Sequence, residues 1–577
     1  MYNILLGNPL IFYEIYVIII KLLPTREYIT HKKGARRMEN KFISLLYPTE
    51  ESEIFHRNRA NLPNVTEEVC DELGLNEIFA LKTSSLTDYF TTDEKVIFYR
   101  QSTIRDLLSV PELLETLSGI HPILDDIREL RRLDNENVTS ADSYLYSITE
   151  IELYVSCLDT LRRGFSGVSG KIQSPAFKSL SDFVSELTES AYYRELNEKL
   201  EALSDRVHEV KSITIGVNLD RELRPESAGV ISINSEHFKS GKLLDKILRL
   251  SFKNDALTCI ANLSPFGKGQ SDNKQEALIG AFNSAIEDVF RSSVKGWRSI
   301  VADYVMDNTD FLLKLLPEIE FLSRAAELLS RLSTHPGCSI CYPALAPMRD
   351  KRFESVGLYN PRVALAIDDE IVTNDLSFDD EARIYVLTGP NRGGKSVITV
   401  ALGAAQAMCQ LGLPVPAASC TISPVSGIFT HFPEGADDTI DKGRLGEECA
   451  RLKEIFDGAD ENTMILLDES LSSTGAYEAS YIASEILSAF AVMKCRGIFC
   501  THLHELAASI PEINERSVRR GGIKLDTLVA GIEEGQRSFK IHRAKPDGKS
   551  YARDIADKYG LSFENLMERM DTRRVTE

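Results

Sequence analysis

No cysteine framework runs through this chain. Its 10 cysteines are scattered without pairing, as reduced thiols are in a cytosolic protein. The one close pair, Cys338-x-x-Cys341 with His335 nearby, has no fourth ligand at a zinc-binding spacing and reads as loop cysteine. An excess of positive charge is also missing. Lys and Arg number 66 against 86 Asp and Glu, a net charge of −20. That excludes nonspecific nucleic-acid affinity spread over the whole surface, though not a local basic groove. Nor is there an uninterrupted apolar span. Residues 4–23 are apolar but broken by Pro9, Glu14 and Lys21, and a charge at the centre of a spanning helix costs about 2.5–3.5 kcal/mol. A membrane anchor is therefore not expected, despite the positive flank Lys32, Lys33, Arg36 and Arg37. Met38-Glu39-Asn40-Lys41 reads as an alternative start, leaving residues 1–37 as a tail or upstream artefact. Internal repeats and low-complexity tracts are absent too.

What remains is an ordinary folding composition, 43% apolar and 26% charged, over 577 residues. One core seldom exceeds about 250–300 residues, so several domains are expected. The first part is helical in pattern. Lys95 to Gln101 fits a strand as well as a helix entry, and then Leu107, Leu108, Leu113, Leu117 and Ile120 recur at helical spacing. Residues 148–161 are amphipathic, and residues 177–210 are predicted as one long helix striped by Phe183, Leu187, Leu196, Leu200, Leu203 and Val207. The period then changes to two. Ser212 to Leu219 alternates and pairs back on Val230 to Ile233 as a hairpin. Two more long helices follow, over 273–306 and 310–332, the second bent or entered near Pro317. Helices of that length make a rod or lever. Pro336, Gly337, Pro343 and Pro347 mark a linker, which sets a boundary near 340.

Beyond it lies the stretch with the most chemistry. Ile384-Tyr385-Val386-Leu387-Thr388 reads as a buried strand, and Gly389-Pro390-Asn391-Arg392-Gly393-Gly394-Lys395-Ser396 as a phosphate-binding loop opening a helix. Backbone N–H groups of such a loop cradle phosphates at the positive end of the helix. Lys395 would reach the β- and γ-phosphates, and the Ser396 hydroxyl would ligate Mg²⁺. About seventy residues on, Met464 to Leu467 is an apolar strand ending in Asp468-Glu469. Asp468 would hold the metal and Glu469 would act as general base. A third strand, Gly497 to Thr501, ends at His502, placed to sense a γ-phosphate or orient water. Strands of this kind imply a parallel sheet with helical crossovers. Gly443-Arg444-Leu445-Gly446 opens another helix. It is either an ordinary helix start or an anion site for a neighbour's nucleotide.

These residues together resemble the MutS-type ATPases of the ABC superfamily. The resemblance is carried by Thr388 to Ser396, Val415-Pro416-Ala417, Ile428-Phe429-Thr430, Asp437-Asp438, Leu467-Asp468-Glu469, Thr501-His502-x-x-Glu505-Leu506 and Asp547-Gly548-Lys549-Ser550-Tyr551-Ala552. It spans residues 359–567 closely and the helical part more loosely. It implies a homodimer with two composite ATP·Mg²⁺ sites, each phosphate loop facing the other subunit's Gly443, Arg444 and Gly446.

The departures are specific. Leu445-Gly446 replaces a Ser-Thr pair, and Arg392 stands where Met is usual. Ile371 falls where the family stacks an aromatic on adenine, and Ser470-Leu471-Ser472-Ser473-Thr474-Gly475 replaces a Gly-rich turn. Only about 340 residues precede the ATPase stretch, too few for mismatch-reading and connector domains as well as a core. The expected architecture is thus a helical core and lever over 38–340, with a small hairpin, and an α/β ATPase of phosphate-loop type over 341–577. The expected function is ATP hydrolysis by a cytoplasmic homodimer, coupled to DNA held by the helical region. The alternative is an ATP-gated scaffold for a protein partner.

Overall fold

The computed structural model describes residues 41–135, 140–208, 212–219, 221–222, 225–234, 239–240, 258–259, 310–379, 382–390, 392–432, 444–533, 536–544, 559–561 and 563–567. The tail expected over 1–37, the helix expected over 273–306, and the motifs at Asp437-Asp438 and 547–552 lie outside these. Ile43–Glu577 forms one compact unit.

After three short helices (Glu50–Arg57, Glu67–Glu72 and Leu75–Phe79), α1 (Glu94–Ser109) settles the ambiguity at Lys95 to Gln101 in favour of helix. Asp93 decides it locally, its carboxylate accepting from Lys95 N at the N-cap. Burial decides it globally: Val96, Ile97, Arg100, Thr103, Ile104 and Leu107 fall on one helical face. Pro111 starts a new helix, α2 (Pro111–Asn135), because it holds Val110 out of the helical region (φ −129°, ψ 84°) and offers no N–H to α1. The third helix, α3 (Ser140–Ser166), exceeds the stretch expected at 148–161.

The single helix expected over 177–210 is two, α4 (Pro175–Glu189) and α5 (Ala191–His208). Ser190 makes the break. Its backbone turns extended (ψ 148°), its hydroxyl donates to Leu187 O, and it accepts from Tyr193 N at the start of α5. A local side-chain cap of this kind competes with the helix ladder, and the apolar stripe does not register it. The hairpin forms as expected, β1 (Ser212–Leu219) antiparallel to β2 (Pro225–Asn234).

Helix α6 (Asp310–Thr334) carries Pro317 inside it and buries most of one face. Its two buried acids replace missing ladder partners for irregular segments. Glu318 accepts from Ser44 Oγ at 2.8 Å and Leu45 N at 2.6 Å. Glu320 accepts from Lys82 N at 2.7 Å, from Thr83 N at 3.0 Å and from the Thr83 hydroxyl. Buried backbone N–H groups left without acceptors would cost about 1–3 kcal/mol each.

The second half holds two sheets. A four-stranded one places Ala344–Leu345 beside β6 (Ser419–Ile422), then β3 (Phe353–Leu358) and β4 (Asn374–Phe378). Between β3 and β4 runs α7 (Pro361–Ala366), capped by Asn360. The six-stranded sheet has the order β7 (Ile428–His431), β8 (Met464–Asp468), β9 (Arg496–Cys500), β5 (Ile384–Thr388), β10 (Leu525–Glu533), β11 (Gln536–Arg543). All neighbours are parallel except β10 and β11. The crossovers are α8 (Lys395–Gln410), α9 (Arg444–Gly458), α10 (Ala476–Met493) and α11 (Ile510–Arg519). Every residue of β5 is buried, as an apolar run in a covered parallel sheet should be.

Glu318 also provides a stability test. Complete burial pushes its carboxyl up from 4.5 to about 7. Because the folded state holds this proton more tightly than the unfolded chain, the contribution is full below pH 4.5 and lost as pH rises through 7. In urea unfolding at pH 4.5 and pH 8, the stability of wild type relative to Glu318→Gln should fall by about 3 kcal/mol at the higher pH. A difference that stays flat with pH would refute the assignment.

Candidate functional site

The loop after β5 takes its shape from backbone that side chains would obstruct. Gly389 has φ +139°, and a Cβ there would sit 2.7 Å from Ala530 Cβ and 3.1 Å from Ala530 N on β10. Gly394, at φ +92°, is the N-cap of α8 and gives it no side-chain cap. The first N–H groups of this 16-residue helix therefore gain no acceptor from the N-cap residue. Lys395 is buried and folds back, donating from Nζ to Gly389 O at 3.2 Å and Pro390 O at 3.3 Å. Arg392 is exposed at φ +60°. Asn391 lies outside the described residues.

Sheet register then brings the acids to the loop. Asp468 pairs with Cys500 of β9, and Cys500 with Leu387 of β5, so three strand ends lie side by side. Asp468 Oδ1 is buried with no hydrogen-bond partner among the described residues. Burial raises the carboxyl pKa, opposed by the Ser396 hydroxyl and the Lys395 charge and reinforced by Glu469. A half-buried carboxylate beside a hydroxyl offers oxygen donors of the kind a hard divalent cation takes. Glu469 follows with φ +51° and Leu471 with φ +68°. Left-handed backbone at non-glycine residues costs about 1–3 kcal/mol each and persists where the surroundings enforce it.

A cavity of about 450 Å³ opens on this loop. Arg392, Gly394, Lys395, Ser396 and Glu469 line one part, and Tyr359, Asn360, Ile367, Ile371, Val372 and Phe539 another. Of the expected site residues, Ile371, Arg392, Gly394, Lys395, Ser396 and Glu469 line it together, and Asp468 adjoins Glu469. His502 does not line it; it lies exposed beyond the end of β9. Gly446 is exposed at the start of α9, where an added Cβ would meet nothing within 4 Å. Gly443 is outside the described residues, and of Arg444 only the backbone at the head of α9 is described.

Phe539 is the residue that motif reading missed. It sits on β11 at φ +56°, 44% exposed, with its ring 3.6 Å from where a Gly394 Cβ would be. Asn374 clamps its position, donating to Phe539 O at 3.2 Å and accepting from Ile541 N at 2.7 Å. Nothing marks it in the sequence, because strand alternation does not foresee a left-handed residue. Ile371, where an aromatic was expected, is a buried aliphatic in the same wall.

Comparison with known proteins agrees with this geometry. Residues 385–552 match the family model described as MutS domain V, and residues 92–335 match the MutS2 N-terminal domain. The DNA mismatch repair protein MutS of Roseiflexus sp. (strain RS-1) is 31% identical over 37% of this chain and 19% of its own length. The probable DNA mismatch repair protein Msh6 of Drosophila melanogaster is 35% identical over 31% of this chain and 15% of its own. Endonuclease MutS2 of Streptococcus thermophilus is 30% identical over 36% of this chain and 26% of its own. The chain thus aligns with about a fifth of the length of the curated relatives it matches. Among the described residues, no helix is long and apolar enough to cross a membrane. Matched over its helices by one model of this group and over its sheet by another, the chain belongs to the MutS family.

Proposed function

We propose that this chain is a Mg²⁺-dependent ATPase that works as a cytoplasmic homodimer and couples nucleotide turnover to DNA bound by its helical part. The observation that carries the reading is the cavity at the strand ends, where Lys395, Ser396 and Glu469 converge beside an Asp468 oxygen that has no hydrogen-bond partner among the described residues. The open N–H groups of the loop and α8 receive the phosphates. Lys395 exchanges its two loop carbonyls for phosphate oxygens, a stronger charge-assisted contact. Ser396 and Asp468 would hold Mg²⁺, which would neutralise phosphate charge when bound. Glu469 takes the proton from the attacking water.

The base lies between Phe539 and the aliphatic wall of Ile371 and Val372. Most of that wall is apolar, and the Asn360 and Asn374 side chains are engaged with backbone groups. Base binding then rests on stacking and burial. Gly443, Arg444 and Gly446 face the partner subunit's nucleotide. Residues 38–340 act as core and lever and residues 341–577 as the ATPase. The names of the relatives support DNA as the ligand.

Three experiments test this. Glu469→Gln removes the base and keeps the cradle, so ATP binding should persist while turnover falls about 10²–10⁴-fold; unchanged turnover would sink the assignment. Phe539→Ala should raise KM for ATP about 3- to 10-fold with a smaller change in kcat, and an unaltered KM would place the base elsewhere. Finally, DNA should stimulate ATPase activity in a way that weakens steeply with salt. No effect of DNA at low salt would favour the scaffold reading.

A further inference from the structure

The turn after Glu469 is held where a relaxed chain would not stay. With Glu469 at φ +51° and Leu471 at φ +68°, the backbone needs outside restraint, and three side chains supply it. Leu471 is 1% exposed in the core cluster shared by β8, β9 and α10. The buried Ser470 places its hydroxyl 2.6 Å from His431 Nδ1, at the end of β7. The Ser473 hydroxyl donates to Glu448 Oε2 on α9 at 2.9 Å. Glu448 is 5% exposed, and its Oε1 is buried without a hydrogen-bond partner among the described residues. Glu448, Arg451 and Glu68 are the charged groups that reach His431, whose imidazole pKa burial lowers.

From this we infer that His431 and Glu448 are positioning residues that set the aim of Glu469, and that through Glu448 this aim depends on where α9 sits. The inference rests on the reading of Glu469 as general base. Neither residue lines the cavity, so neither touches the nucleotide. The head of α9, Arg444 to Gly446, is the segment assigned to the partner's nucleotide. Binding there shifts a helix whose second turn holds the turn of the base in the same subunit. Each site would then report its closure to the other through one carboxylate and one hydroxyl. Ser470 and Ser473 belong to the segment that departs from the Gly-rich family turn. Side-chain anchors here do the work of conformational freedom there.

The test uses the full chain with Mg²⁺ and ATP. His431→Ala, Glu448→Ala and Ser473→Ala should each lower kcat about 10- to 100-fold, since small misplacement of a reacting group has effects of that size, while KM for ATP stays unchanged. Glu448→Gln keeps an acceptor for Ser473 and should restore most of the turnover. The double variant of His431→Ala with Ser470→Ala should be no slower than His431→Ala alone, because both remove one contact. Wild-type turnover in His431→Ala and Glu448→Ala, with Glu469→Gln stalled, would overturn the inference and leave the base assignment standing. Wild-type turnover in Glu469→Gln would instead remove the base assignment. Losses that match the unfolded fraction in thermal melts, and vanish at temperatures where the variant is fully folded, would reduce both residues to structural ones and also overturn it.

Discussion

Everything in this molecule is built around the burial of α8. Thirteen of its sixteen residues are buried, so it is covered on nearly all sides and cannot move without its neighbours. Gly403 shows how tight the fit is: a Cβ there would lie 2.4 Å from Leu73 Cδ2 on one side and 2.7 Å from Leu466 Cδ1 on another. The helix is thus pressed between an N-terminal segment and β8. Small residues from Ala401 to Ala407 make such approach feasible, and the packing leaves no room for a larger side chain.

The two ends of α8 meet different chemistry. Its first turn lies at the phosphate loop. Its last turn is buried among polar partners from both halves of the chain. Gln410 donates to Thr91 O and Val425 O and accepts from Val425 N. Arg100 of α1, itself fully buried, donates to Leu411 O, Leu46 O and Tyr89 O. A cation at a helix C-terminus is favourable, and in a low-dielectric interior both charge and carbonyls need such partners. A rigid helix running from the loop to this network gives the helical half a mechanical hold on the site.

Much of this was legible in the residues. Gly389 to Ser396 announces a loop and helix start because Gly389 and Gly394 take left-handed backbone that favours glycine. The strands ending at Thr388, Asp468 and Cys500 were readable because buried parallel strands are continuous apolar runs. Ser190 was not legible, since a serine inside a helical stripe can cap or continue, and its neighbours decide. Phe539 was illegible for a stronger reason: its left-handed backbone comes from the Asn374 clamp, which is contributed from another sheet.

The division follows the range of the forces. Order along the chain, through glycine backbone freedom, apolar period and capping side chains, was enough to specify the loop, the strands and the candidate chemistry of Lys395, Ser396, Asp468 and Glu469. Which of these groups share a cavity, that Phe539 closes it while His502 stays outside, and that His431 and Glu448 brace the turn after Glu469 depended on packing between segments far apart in the chain. Contacts of that kind arise from how whole sheets and helices exclude water together, and no local pattern encodes them.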